Sequence, residues 1–298
     1  MSARATPSSN RRKSRAAPVD CASAFQAIGL QCVAAIKAHH AGACDGEVEA
    51  VHQIRIAMTR LRAAVSFFKP IVADAQWSRL KREIAWLNGP LGAARDSDVM
   101  LEHARRKRFR AWAGRLIGED IERQQAMNHR RLVRALRSAR TLRLMAAMAK
   151  WLRQGRWLKR AQLDPSANDL QGYCARKLEH WRKRLVRAGR HLKTLGTSAL
   201  HDVRIKAKRL RYMLEALRET EVLARRGRFR RMHRPARQLQ RTLGDLRDLA
   251  RFADLARPEG GRRSERYPPL HHQRMDRLLD AAIAARLDLK RGNVRLMP

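Results

Sequence analysis

Apolar side chains in this chain recur at three- and four-residue intervals, and no stretch shows a convincing alternation of period two. Phe25, Ile28, Val33 and Ile36 predict a helix from Cys21 to about His40, and Gly42 to Gly46 a turn. A second helix runs to Lys69-Pro70, where proline stops it. Asp74 is placed to cap a third, carrying Trp77, Leu80, Ile84 and Leu87 as far as Asn88-Gly89-Pro90. Helices are expected from Asp96 to about Trp112 and, after Gly114 and Gly118, from Glu119 to about Gln154. Asp164-Pro165 reads as an N-cap with proline at the first helical position, opening a helix to about Leu195. Ser198 caps the next, ending near Glu221. Residues 225 to 257 hold further helix with Pro235 as start or kink, and a last helix spans about Leu270 to Lys290. The fold class is therefore all-α.

Two of these helices carry nearly the same face. His52, Arg55, Thr59 and Arg62 fall within one narrow arc, with Ile54, Met58, Leu61, Val65 and Phe68 opposite. His201, Arg204, Lys208 and Arg211 repeat that arc 149 residues later, backed by Val203, Ala207, Leu210, Leu214 and Leu217. A second echo follows in the same order. Leu91-Gly92-Ala93-Ala94-Arg95-Asp96 returns as Leu243-Gly244-Asp245-Leu246-Arg247-Asp248, offset by 152 residues. The duplication thus covers a unit, and two tandem pseudo-symmetric helical bundles follow from it. Residues 1–19 read as a disordered basic tail, 20–292 as one helical domain, with repeat 1 at about 20–155 and repeat 2 at about 165–292. The Gly-, Pro- and Arg-rich stretch from Arg257 to Pro269 reads as a linker.

Charge changes the picture. Of 298 residues, 66 are basic and 27 acidic, a formal net charge of +39, and arginine fills 53 of the basic positions. Such a chain repels itself unless it meets a polyanion, whether nucleic acid, anionic membrane or polyphosphate. Arginine favours phosphate, since its planar fork engages two oxygens at once. Solvated helix faces normally interleave acids four residues apart; here the first arc has none and the second only Glu215. Cys21, Cys32, Cys44 and Cys174 form no C-x-x-C pair and read as reduced, small-apolar packing residues. The sequence suggests no apolar run of membrane-spanning length and no secretory leader, so a cytoplasmic protein is expected.

The pattern H-x-x-R-x-x-x-[K/R]-R-L-R, present twice and closed by Arg211-Tyr212, resembles the CHAD family (conserved histidine α-helical domain). The L-G-x-x-R-D junctions support the likeness, which covers roughly Cys21 to Lys290. The resemblance implies paired pseudo-symmetric bundles that bind inorganic polyphosphate in a basic groove or channel between them, and association with granules of that polymer is a further expectation. Position by position it designates His52, Arg55, Arg60 and Arg62, then His201, Arg204, Lys208, Arg209 and Arg211. Thr59 departs from the pattern where a cation is usual, although a hydroxyl still donates to phosphate oxygen.

The histidines have three readings. A metal site would need acids, cysteines or a second histidine at coordinating spacing, whereas the neighbours are cations. Acid–base catalysis would need a partner carboxylate or nucleophile, and the motif supplies none on that face. Donation to phosphate is favoured, with helix packing as the runner-up. No metal, cofactor or catalytic residue is expected. The chain lacks a glycine-rich G-x-x-x-x-G-K-[S/T] loop, and Glu47-Val48-Glu49 lacks the lysine of the triphosphatase motif found fused to some relatives, so a binding module and not an enzyme is expected. Nucleic acid remains as the alternative ligand, since bulk charge does not discriminate. It is disfavoured because the fifteen aromatics sit mostly at core positions and no recognition module is evident. Arg123, Arg130, Arg134 and Arg137 form a secondary stripe, and Arg176, Lys183, Arg187 and Arg190 another. These either track a long polyanion or lie as arginines over apolar surface. Oligomeric state is not readable.

Overall fold

Eleven α-helices, with no strand, make up a computed structural model that describes residues 20–105, 107–164, 167–220, 226–255 and 269–292. They are α1 (Cys21–Cys44), α2 (Val48–Phe67), α3 (Lys69–Val72), α4 (Ala75–Ala104), α5 (Lys107–Arg137), α6 (Ala139–Gln154), α7 (Trp157–Gln162), α8 (Leu170–Ala188), α9 (Thr197–Glu219), α10 (Arg226–Leu255) and α11 (Pro269–Arg291). The basic tail at 1–19 and most of the linker at 257–269 lie outside the described residues.

Capping explains several boundaries. Asp20 and Ser23 close a capping box at the start of α1. Gly46, at φ 88°, takes the left-handed turn between α1 and α2 that a side chain would disfavour. Asp74 accepts from the Trp77 N–H at 2.6 Å, as the sequence predicts.

Other boundaries differ from expectation. α4 runs straight through Asn88-Gly89-Pro90, because Leu87, Leu91 and Ala94 are all buried and their packing outweighs the hydrogen bond that Pro90 forfeits. α5 likewise passes Gly114 and Gly118, and the break comes at Ser138, whose side chain accepts from the Thr141 N–H. The cap of α8 is Asp169, accepting from Gly172 N–H at 2.8 Å, not Asp164. α9 starts after Gly196 without a side-chain cap, so Ser198 lies inside the helix. α1 is also long and apolar enough to cross a membrane by length and composition, which the sequence reading did not suggest; here Phe25, Ile28 and Ile36 bury its inner face in the core.

The buried residues form one continuous cluster from α1 to α11. Its densest part is aromatic. Phe25 meets Phe68, Trp151 and Trp157 edge-on with centroids 5.0–5.9 Å apart, and Tyr173 of α8 stacks on Phe68 at 5.6 Å. The Tyr173 hydroxyl donates to the Phe67 carbonyl at 2.7 Å, and Trp157 Nε1 donates to the Trp151 carbonyl at 3.0 Å. These contacts join the first-half helices to α8, and α2 packs directly on α9.

Gly155 lets the chain turn between Trp151 and Trp157. A Cβ there would collide with the Trp151 carbonyl oxygen and the Trp157 ring, both in rigid surroundings. Gly155→Ala is expected to lower unfolding free energy by about 1–3 kcal/mol, the usual cost of overpacking, measured by chemical denaturation. An unchanged denaturation midpoint would show that the turn has room to relax.

Candidate functional site

The two predicted faces meet. α2 and α9 cross so that His52 and Arg55 from one and Arg204 and Lys208 from the other line a single cleft of about 170 Å³. α4 adds Arg95 and Asp96, and α10 adds Gln240, Arg247, Asp248 and Arg251. The second echo therefore lands beside the first.

The glycines of that echo explain how. A methyl group at Gly92 would come within 3.2 Å of the Arg55 guanidinium, and one at Gly244 within 3.4 Å of Arg204 Nε. Each motif arginine thus passes over the bare backbone of a motif glycine on the neighbouring helix. Arg55 also donates to the Leu91 carbonyl at 3.4 Å.

Two carboxylates, Asp96 and Asp248, line the cleft among these cations, and Asp96 is engaged in three ion pairs. Asp96 accepts from Arg55 at 3.4 Å, Arg247 at 3.2 Å and Arg251 at 3.3 Å. It corrects the expectation that no acid faces the motif histidines and arginines: a helical projection shows only a helix's own residues, and Asp96 arrives from α4. Its sequence signal is the L-G-x-x-R-D echo, which by itself marks only a duplicated unit. Arg95, Arg247 and Asp248 share that signal, and Tyr212 closes the second motif copy; Arg251 and Gln240 have none.

Burial, reinforced by crowding of like charge, governs protonation. Lys208 is held at a pKa of about 7, against 10.5 normally, by burial first and then by Arg55, Arg204, Arg211 and Arg62. His52 is lowered by burial and then Arg95, and His201 by desolvation and then Arg247 and Arg204. Both rings therefore favour the neutral form near pH 7. Burial and Arg247 also lower Arg204. Three buried polar atoms on residues lining the cleft have no hydrogen-bond partner among the described residues: His52 Nδ1, Arg204 Nε and Gln240 Oε1.

The remaining designated residues divide. His201 is exposed beside Arg204 and Arg247, at the margin of the cleft. Burial and then Arg209 lower the pKa of Arg62, so these two arginines are neighbours although they are not counterparts in the repeat, and Arg209 is exposed. Arg211 lies over the Tyr212 ring at 4.3 Å and reaches Glu215 at 3.8 Å. Arg60 turns away: its fork grips Glu219 of α9 at 2.7 Å and 3.2 Å. Five residues beyond Arg55 is about 140° around the helix, which takes Arg60 off the shared face. The Thr59 hydroxyl donates to its own helix at the Arg55 carbonyl, 2.8 Å away, which spends the donor expected for phosphate.

The secondary stripes lie on α5 and α8, exposed and outside the cleft. Arg123 pairs with Asp120 at 2.9 Å, Arg137 with Asp45 at 3.7 Å, Arg176 with Asp169 at 3.3 Å and Lys183 with Glu179 at 3.7 Å. Arg130, Arg134 and Arg187 are exposed on the same helices, and Arg190 is exposed in the turn after α8. No group of three or more His, Cys, Asp or Glu able to hold a metal occurs among the described residues.

Comparison with known proteins bears on this arrangement. The chain is similar in structure to the crystal structure of the CHAD domain from the plant Ricinus communis, with a TM-score of 0.70, 24% identity and 96% of each chain covered. It is also similar to PptA from Streptomyces chartreusis, with a TM-score of 0.53, 20% identity, and 91% of this chain and 97% of that one covered. At those identities the likeness concerns the fold. Comparison with curated proteins finds no match. The CHAD domain family model matches residues 27–257, and the chain belongs to that family.

Proposed function

We propose that this protein binds inorganic polyphosphate, without catalysis, in the cleft where the duplicated His/Arg faces of α2 and α9 meet. The two repeats act as the halves of a clamp. The carrying observation is the convergence of Arg55, Arg204, Lys208, Arg247 and Arg251 on one space, where Asp96 pairs with Arg55, Arg247 and Arg251. Phosphate oxygens suit such a set: each guanidinium offers paired donors, and a polymer of phosphates supplies anions at close intervals. Cation crowding disfavours every state in which the cleft lacks an anion. The same affinity accounts for the expected association with polyphosphate granules.

The absence of base-reading chemistry favours polyphosphate over nucleic acid. Tyr212 is buried beneath Lys208 and Arg211 and offers no free face for stacking a base. Competition at fixed moderate salt between long-chain polyphosphate and single-stranded RNA of equal phosphate count separates the two ligands. Polyphosphate is expected to win; if RNA wins, the chain is a nonspecific nucleic-acid binder.

Arg55→Gln with Arg204→Gln is expected to weaken polyphosphate binding by about 3 kcal/mol, roughly a hundredfold, from two charge-assisted bonds. Arg11→Glu with Arg12→Glu in the tail should change it far less. Equal losses in calorimetry would make the site diffuse.

Asp96→Asn should act in the opposite direction. It frees three guanidiniums from an internal competitor, so polyphosphate binds tighter by about 1 kcal/mol, roughly fivefold, while the ligand-free protein melts earlier. Weaker binding by Asp96→Asn would show that Asp96 positions the arginines and does not compete with phosphate.

Protonation sets a pH dependence. Lys208, facing Arg55 and Arg62 of α2, Asp96 of α4, Arg204 and Arg211 of its own helix and Arg247 of α10, is charged in both states below about pH 7. Above that value polyanion binding takes up its proton, so affinity falls as pH rises from 7 to 9, by at most about tenfold per unit. Proton uptake read by calorimetry in two buffers should fall in Lys208→Arg, leaving the share taken up by His52 and His201; persistence of the full uptake would assign it to other groups.

A further inference from the structure

For a clamp that only binds phosphate, arginine at position 208 would supply the same charge as Lys208. Arginine occupies 53 of the 66 basic positions of this chain, yet a lysine stands where cation crowding is greatest. Its ammonium lies 5.7 Å from the centroid of the Tyr212 ring. No carboxylate among the described residues forms an ion pair with it, because Asp96 is engaged by Arg55, Arg247 and Arg251. From α2, Arg55 and Arg62 bear on it, and from its own helix Arg204 and Arg211. An amine in such surroundings sheds its proton readily, and its pKa of about 7 leaves roughly half of the molecules with a free lone pair at neutral pH. A guanidinium would stay charged and inert. Desolvation and adjacent cations are the means by which lysines become nucleophiles.

We propose that Lys208 is an acyl-acceptor site for small acyl phosphates, of which acetyl phosphate is the simplest. Arg55 and Arg204, lining the same cleft, hold the phosphate group and set the carbonyl beside the amine. The nitrogen lone pair attacks the acyl carbon, a C–N bond forms, and the C–O bond to phosphate breaks. Phosphate leaves with that electron pair, and the proton lost from nitrogen passes to phosphate or solvent. Nothing is oxidised or reduced. The cleft, open to solvent on one side, has room for such a small donor beside Arg55, Arg204 and Lys208. The amide carries no charge, so acylation removes one cation from the cleft. That last consequence rests on the reading of the cleft as a polyphosphate site; the acyl transfer does not.

The test uses the full chain at pH 7.5 with acetyl phosphate, following each lysine by peptide mass spectrometry over time. Lys208 is expected to be acetylated at least about tenfold faster than the exposed Lys37 and Lys81, the gain in free amine outweighing the lower basicity. Lys208→Arg should remove the fast phase of total incorporation, and tripolyphosphate should suppress it. Acetic anhydride, which has no phosphate to steer it, should show a smaller preference for Lys208. A Lys208 rate no greater than that of Lys37, or the same preference with both reagents, overturns the proposal. If polyphosphate binds and Lys208 stays unlabelled, the acyl-acceptor inference fails alone. If Lys208 is labelled fast while polyphosphate neither binds nor protects, the acyl-acceptor site stands and the polyphosphate reading fails.

Discussion

Mutual repulsion among cations is the constraint on which this structure depends. Arg55, Arg95, Arg204, Lys208, Arg247 and Arg251 are brought to one cleft by four helices, with Asp96 taking three of the guanidiniums. At such spacing each charge raises the cost of its neighbours. The protein answers partly by shedding protons, as the lowered values at Lys208, His52 and His201 record. Burial is the larger cause of each shift, and the crowded cations add to it.

Holding like charges together requires a frame that does not yield. The continuous core supplies it, with Phe25, Phe68, Trp151, Trp157 and Tyr173 locking α8 onto the first-half helices. Arg60 and Glu219 add a pair between α2 and α9 on the side turned away from the cleft. A single cooperative core offsets the repulsion that two loosely docked halves would relieve by separating.

The helical class, the paired faces and the four cleft residues His52, Arg55, Arg204 and Lys208 are legible in the sequence because each follows from a short-range period. His52 and Arg55 declare themselves three residues apart on one helix; so do His201 and Arg204. What the period hides is anything contributed by another helix. Asp96 and Arg251 reach the cleft from α4 and α10, and no projection of α2 or α9 shows them. Arg60 fails for the converse reason: it belongs to the motif, but its angle points it to Glu219. Pro90 and Gly114 look like breaks because local propensity speaks against them, while burial of Leu87, Leu91 and Ala94 carries α4 across the first. Ser138, a modest signal by comparison, ends α5 through a cap.

Thr59 and Lys208 occupy corresponding positions in the two copies, and they are unlike: one hydroxyl is turned back on its own helix, while the other position holds a crowded amine. The cleft thus has a direction along its length. A strand with distinct 5′ and 3′ ends meets such a cleft in two inequivalent ways and must give up one of them. A chain of identical phosphate units reads the same from either end, so reversal leaves every contact in place. For an unpolarised ligand the divergence between the two copies carries no cost of orientation, and the second copy is free to keep a group that the first has lost.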